Sequence, residues 1–205
     1  MTDTLLLNGK EYHLTKDGLP CLITYKEKTG GSHFSVTLAA DLFLQGAKIL
    51  FLSAYPMARD NFFEQVKKYE SQIASITSVK ELNAHKDARV IIPESGNERL
   101  FIEILHTPPD LRELVVLVKN MEVFSPALLN ECLKLKNVIF SGNLDACAVK
   151  QEIARTKFNT TIIFTKPETP LPFEPLPLEK YTGYIWSGDK QGIIKVQMEG
   201  SEKTK

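Results

Sequence analysis

The segment Leu22-Ile23-Thr24-Tyr25-Lys26-Glu27-Lys28-Thr29-Gly30-Gly31-Ser32 is where residue types and spacing come closest to a known chemistry. It lines up with GxxxxGK[ST], in which backbone N–H groups cradle phosphates, the lysine neutralises them and the hydroxyl binds Mg²⁺. The second glycine is Gly30 and the hydroxyl is Ser32, but the first glycine is Tyr25 and the lysine is Gly31. Lys26 and Lys28 stand close enough to substitute for the missing cation, and Thr29 adds a hydroxyl. The same residues also read as a solvated strand-to-helix turn in which Ser32 caps the helix.

A second candidate lies at Val118-Lys119-Asn120, after the most hydrophobic run of the chain, Leu114–Val118. Lys119 offers donors and no lone pair, so it cannot replace a metal ligand. It reads either as a substitute cation or as a surface residue. His33 could hydrogen-bond an anion. His13, His85 and His106 have no ligand spacing with one another or with Cys21, Cys132 or Cys147, and the cysteines form no CxxC pair.

The elements that must hold these residues follow from periodicity. Leu5–Leu7 and Glu11–Leu14 flank Asn8-Gly9 as a small hairpin. Buried strands are expected at Leu19–Tyr25, Lys48–Ser53, Arg89–Ile92, Leu114–Val118, Asn137–Ser141 and Thr160–Thr165. Helices are expected at Ser32–Gln45, Ala58–Tyr69, Asn97–Leu105, from Pro126 to about Lys134 behind a Ser125 cap, and at Leu144–Arg155. The stretch Glu70–Asp87 reads as a short helix and a loop. Strands alternating with helices imply parallel βαβ units with helices on both faces of one sheet, and Leu114–Val118 in its interior.

Residues 1–199 read as one domain. Within it lie the N-terminal hairpin at 1–17, a proline-rich connector at 166–178 and a terminal hairpin at 181–198; residues 200–205 read as a disordered tail. Phe173 in the connector and Tyr181, Tyr184 and Trp186 in the terminal hairpin are candidate contact residues. Tyr184 and Trp186 share one side of a strand, where they would make an interaction surface or cover the domain's own core.

At 205 residues, with 43% hydrophobic and 24% charged residues, the chain suits a single globular domain. Lys+Arg and Asp+Glu both number 25, which disfavours a basic nucleic-acid coat without removing the chance of a local patch. No signal peptide and no apolar run of roughly 20 residues is present, so no membrane span and a cytoplasmic location are expected.

The helix Ser35–Leu42 followed by Gln45-Gly46-Ala47-Lys48-Ile49-Leu50-Phe51-Leu52-Ser53, with Arg89–Pro93, Glu98–Leu105 and Leu114–Val118, resembles the KaiC/RadA branch of RecA-like P-loop ATPases. The resemblance implies a three-layer α/β fold with a mostly parallel central sheet and a C-terminal β-hairpin. It places Lys26, Lys28, Thr29, Gly30, Gly31, Ser32 and Lys119 at an eroded nucleotide site with no catalytic residue and no metal. It implies a carboxylate that organises Mg²⁺ and water where Lys119 stands, or Asn120 in a register one residue on, and a water-activating carboxylate in the region of Glu94, which here lacks the other parts of such a site. What it implies for function is a pseudo-ATPase that serves as an assembly or regulatory subunit, in a homo-oligomer or beside related RecA-like subunits. It implies no cofactor, with ATP or another anion at the degenerate loop as the alternative. A nucleotide-binding protein with slow turnover and a DNA recombination or repair accessory are the other readings; nucleic acid is not favoured.

Overall fold

In the computed structural model, residues 4–85, 87–107, 114–171, 173, 178, 181–188 and 190–197 are described. The expected tail at 200–205, Met198 and part of the connector lie outside them. The chain runs β1 (Thr4–Leu7), β2 (Lys10–Glu11), β3 (Cys21–Thr24), α1 (Gly31–Leu44), β4 (Ile49–Ser53), α2 (Pro56–Val66), β5 (Ile73–Ile76), β6 (Val90–Pro93), α3 (Glu98–Leu105) and β7 (Val115–Lys119). It continues through α4 (Pro126–Leu133), β8 (Val138–Gly142), α5 (Lys150–Arg155), β9 (Thr160–Ile163), β10 (Gly183–Ser187) and β11 (Lys190–Gln197).

All strands join one sheet in the order β2-β1-β11-β10-β9-β3-β8-β7-β4-β6-β5. From β9 to β5 every pairing is parallel. From β9 outward to β2 every pairing is antiparallel, so the terminal hairpin and the N-terminal hairpin extend one edge. As the sequence predicts, β7 lies in the interior, between β8 and β4.

The alternation of side chains along each strand divides the core in two. Cys21, Ile23, Ile49, Phe51, Val115 and Leu117 face α1 and α2, whose Phe34, Leu38, Phe43 and Phe62 are fully buried. Leu22, Leu50, Leu52, Val116, Val118 and Phe140 face α3, α4 and α5, through Phe101, Leu128 and Ile153. This is a three-layer α/β arrangement with helices on both faces of a mostly parallel sheet.

Local signals account for most boundaries. Ser125 caps α4 by accepting from the Leu128 amide, and Pro126 opens it. Asn97 caps α3 in the same way through Leu100 N–H. Gly46, at φ +100°, ends α1. Three expectations differ from the structure. The second arm of the N-terminal hairpin, expected at Glu11–Leu14, pairs only at Lys10–Glu11. Within Glu70–Asp87 a strand, β5, forms at the sheet edge between two 3₁₀ segments. The helix expected at Leu144–Arg155 is broken into a 3₁₀ turn at Leu144–Ala146 and the short α5. Asn143 Oδ1 accepts from the Asp145 amide there, a local side-chain bond that competes with a continuous helix.

Candidate functional site

The loop between β3 and α1 sits at the carboxyl ends of the parallel strands, where open α/β sheets place their ligands. Because β3 lies between β9 and β8, the loop faces the ends of β8 and β7 together. Gly30, at φ +92°, is the N-cap residue of α1 and Gly31 is its first helical residue.

Tyr25 begins the loop, and its side chain turns inward. The ring is 6% exposed and lies against Gly31, whose missing Cβ would fall 2.5 Å from Tyr25 Cβ and Cγ. No side chain fits at position 31 while that ring is there. The phenol reaches across to the strand ends, where Lys119 Nζ donates to Tyr25 Oη and Ser141 Oγ donates to it at 3.5 Å. Lys119 and Ser141 are register partners on β7 and β8. The ammonium also lies 4.8 Å from the centroid of the Tyr25 ring, a cation–π distance.

Lys119 is fully buried. Burial pulls its pKa down to about 8, and the negative charge of Glu122 opposes that fall. Burial pushes the Tyr25 phenol up to about 12, so at neutral pH a cationic amine meets a neutral phenol. Glu122 follows β7 and its carboxylate accepts from the Asn143 amide at 3.0 Å. A Cβ at Gly142 would fall 2.0 Å from that carboxylate oxygen, so only glycine permits the approach.

Outside this internal pair is an open cleft of about 610 Å³, lined by Lys26, Lys28, Tyr55, Asn120, Glu122 and Asn143 among others. Of the positions the sequence singles out, Lys26, Lys28, Gly30 and Ser32 line it together. Gly31 and Lys119 are placed behind Tyr25 and away from the cleft. Thr29 turns its hydroxyl back to the Lys26 carbonyl at 2.7 Å. Glu94 stands at the end of β6, on the far side of β4 from β7, and accepts from Asn97 Nδ2. Lys28, Asn120 and Tyr181 all have left-handed backbone, with φ of 62°, 63° and 62°, and all three border the loop or its cleft. Such conformations concentrate at functional positions.

Three of the four candidate contact rings meet one another. Phe173 stacks on Trp186 at 5.2 Å with planes 12° apart and lies 6.2 Å from Tyr184. Tyr184 is buried, and its hydroxyl donates to Gln191 Oε1. Tyr181 stands apart and half exposed over Gly30.

In the sequence, Tyr25 and Lys119 read as two separate departures from the template. Their signal as a pair was available: an aromatic hydroxyl enters one arm of the motif as a lysine enters the other. Glu122 and Tyr55 carry no such mark. All three cysteines are free and buried, and no cluster of three or more His, Cys, Asp or Glu suits a metal among the described residues.

No protein-family model matches the chain, and no curated protein matches it. Solved structures do. EssC (ATPases 2 and 3) from Geobacillus thermodenitrificans superposes with a TM-score of 0.55 at 16% identity, over 95% of this chain and 40% of that one. Thermomonospora curvata EccC (ATPases 2 and 3), in complex with a signal sequence peptide, gives 0.57 at 13% identity, over 98% and 41%. The cytoplasmic domain of the type VII secretion ATPase EccC from the same organism gives 0.55 at 12%, over 98% and 26%. The chain thus spans 40% and 41% of the length of the first two structures it matches. The fold is that of P-loop NTPases. The likeness is to that fold at large and does not single out the KaiC/RadA branch. No helix among the described residues is long and apolar enough to cross a membrane.

Proposed function

We propose that this chain is a non-hydrolysing relative of the P-loop ATPases that acts as an assembly or regulatory subunit for a protein partner. The observation that carries this reading is the Tyr25–Lys119 contact, which fills the inside of the loop with the chain's own side chains. A working loop turns backbone N–H groups and a lysine onto phosphates and holds Mg²⁺ with oxygen ligands. Here the lysine position is Gly31 with no space for a side chain, and an ammonium stands at the end of β7. Mg²⁺ and a triphosphate do not fit these residues: the ring occupies the cradle and the amine would repel the metal. What persists is the three-layer core, and RecA-type domains pack side by side. A homo-oligomer, or a complex with related RecA-like subunits, follows from this reading.

A second reading has the cleft in its favour. Its volume of about 610 Å³ lies in the range of small-molecule sites, and Lys26 and Lys28 present two exposed cations at its wall. ATP or another anion would then sit outside Tyr25 and not beneath it. Calorimetry with Mg²⁺-ATP, together with a phosphate-release assay on the purified chain, separates the two. The first reading expects no saturable heat and no turnover above background. Mg²⁺-dependent turnover that disappears in Lys26→Ala or Lys28→Ala overturns it in favour of the second.

A further inference from the structure

Beside the terminal hairpin, on the opposite face of the sheet from α1, lies a pocket that the loop chemistry does not use. Its volume is about 250 Å³, and Leu22, Ile153, Phe158, Leu171 and Trp186 form its apolar walls. Phe173, stacked on Trp186, props the indole from behind. Thr156 contributes little free polarity, because its hydroxyl donates to the Glu152 carbonyl at 2.8 Å. Among the described residues, the charged groups in the lining are Arg155 and Lys157. Both are exposed, and neither has an ion-pair partner among the described residues.

This combination is selective. The volume falls below the usual range for a free small-molecule ligand, which starts near 300 Å³, but suits one large side chain. A pocket with aromatic walls that takes a single anchor, rimmed by groups that choose its neighbours, is how a few residues come to dominate a protein interface. Two cations, and no acid among the described lining residues, set the sign of those neighbours. The geometry points to a docking site for a protein segment that inserts one aromatic or large aliphatic side chain between Trp186, Leu171 and α5, with acidic residues on either side that pair with Arg155 and Lys157. It rests on the assembly reading only in taking the occupant to be a protein.

Trp186 is the chain's single tryptophan, so its emission reports the pocket directly. The probe is a blocked seven-residue peptide with a central Phe flanked by Glu residues, titrated into the full chain. We expect a saturable change in Trp186 emission at about millimolar peptide or below, as for an isolated weak anchor. Replacing the peptide's Phe by Ala, or its Glu residues by Lys, should abolish it. The double variant Arg155→Glu, Lys157→Glu changes only exposed side chains and should weaken binding about tenfold or more. Ala154→Leu, on the pocket wall, should block entry with the rim charges kept. No saturable change, equal response to the Lys-flanked peptide, or unchanged binding by the charge-reversed variant overturns the site. So does phenylacetate binding more tightly than the peptide, since that marks a small-molecule pocket. The readout uses no nucleotide, so ATP turnover would sink the pseudo-ATPase reading and leave the Trp186 result standing.

Discussion

Lys119 makes its contribution to stability testable through proton linkage. Its folded pKa of about 8 lies below the ordinary lysine value of 10.5. The folded protein therefore holds fewer protons than the unfolded chain between those values, and stability from this group rises as pH climbs through that window. Below pH 8 both states are protonated and the burial cost is present in full. Lys119→Met should thus be more stable than the parent at pH 7, because an apolar side chain replaces a buried charge. That advantage should shrink by about 3 kcal/mol between pH 7 and pH 10.5. Urea unfolding of both proteins at several pH values measures the difference and cancels titrations they share. An advantage that stays constant across this range rejects the buried-charge account. Gly31→Lys, by contrast, should lower stability by about 1–3 kcal/mol through collision with Tyr25, and Tyr25→Gly should relieve that cost. Nucleotide affinity should appear only in the combined Tyr25→Gly, Gly31→Lys, Lys119→Asp variant, because the repairs share one ligand and are not additive. Tight Mg²⁺-ATP binding by Gly31→Lys alone would show the cradle to be open. At this scale the sequence placed the loop correctly, since an apolar run, a glycine pair and a helical period bracket it. It could not reveal that Tyr25 fills the loop, because that depends on where β7 and β8 end.

At the scale of elements, Asp145 ties the 3₁₀ turn before α5 to the start of the connector. Its carboxylate accepts from the amides of Glu168 and Thr169 and from the Thr169 hydroxyl. Burial works to raise its pKa, but these bonds outweigh it and hold the group below the usual carboxylate value. With a folded pKa below the unfolded one, the tie is complete above the ordinary aspartate range and is lost as pH falls through the folded value. Asp145→Ala should release the connector at neutral pH and loosen the stack of Phe173 on Trp186. Acid well below the ordinary aspartate range should do the same to the parent chain. A red-shifted and more quenchable Trp186 emission reads both. Unchanged emission in the variant shows that the aromatic cluster holds itself. The break at Cys147–Val149 and the edge strand β5 are the two elements the sequence concealed. Ile73-Ala74-Ser75-Ile76 is short, with the exposed Ser75 between buried Ala74 and Ile76 and polar residues flanking the segment, so no long buried run or alternation stands out. The long central strands were legible because burial on both faces makes them continuously apolar.

For the whole molecule, the strand order separates pieces that are near in sequence from pieces that are not. β4, β5, β6 and β7 all come from residues 49–119 and lie side by side. β3, formed from residues 21–24, is held between β8 and β9, which come from residues 138–163. β1 pairs with β11, so Thr4 meets Gln197. During synthesis on a ribosome, β4, β5 and β6 have all their partners, and β7 has one of its two, before β3 has either of its own. β3 must wait as an unpaired apolar segment until most of the chain has emerged. Distant pairings are also the slow ones in refolding, because loop closure must come first. Pulse-labelled hydrogen exchange should therefore protect amides of β4, β6 and β7 before those of β3 and β1. Simultaneous protection would mean that the sheet closes in one step. If the order holds, Cys21 to Thr24 is the stretch most exposed to mispairing in the newborn chain, and a holding chaperone would find its binding segment there.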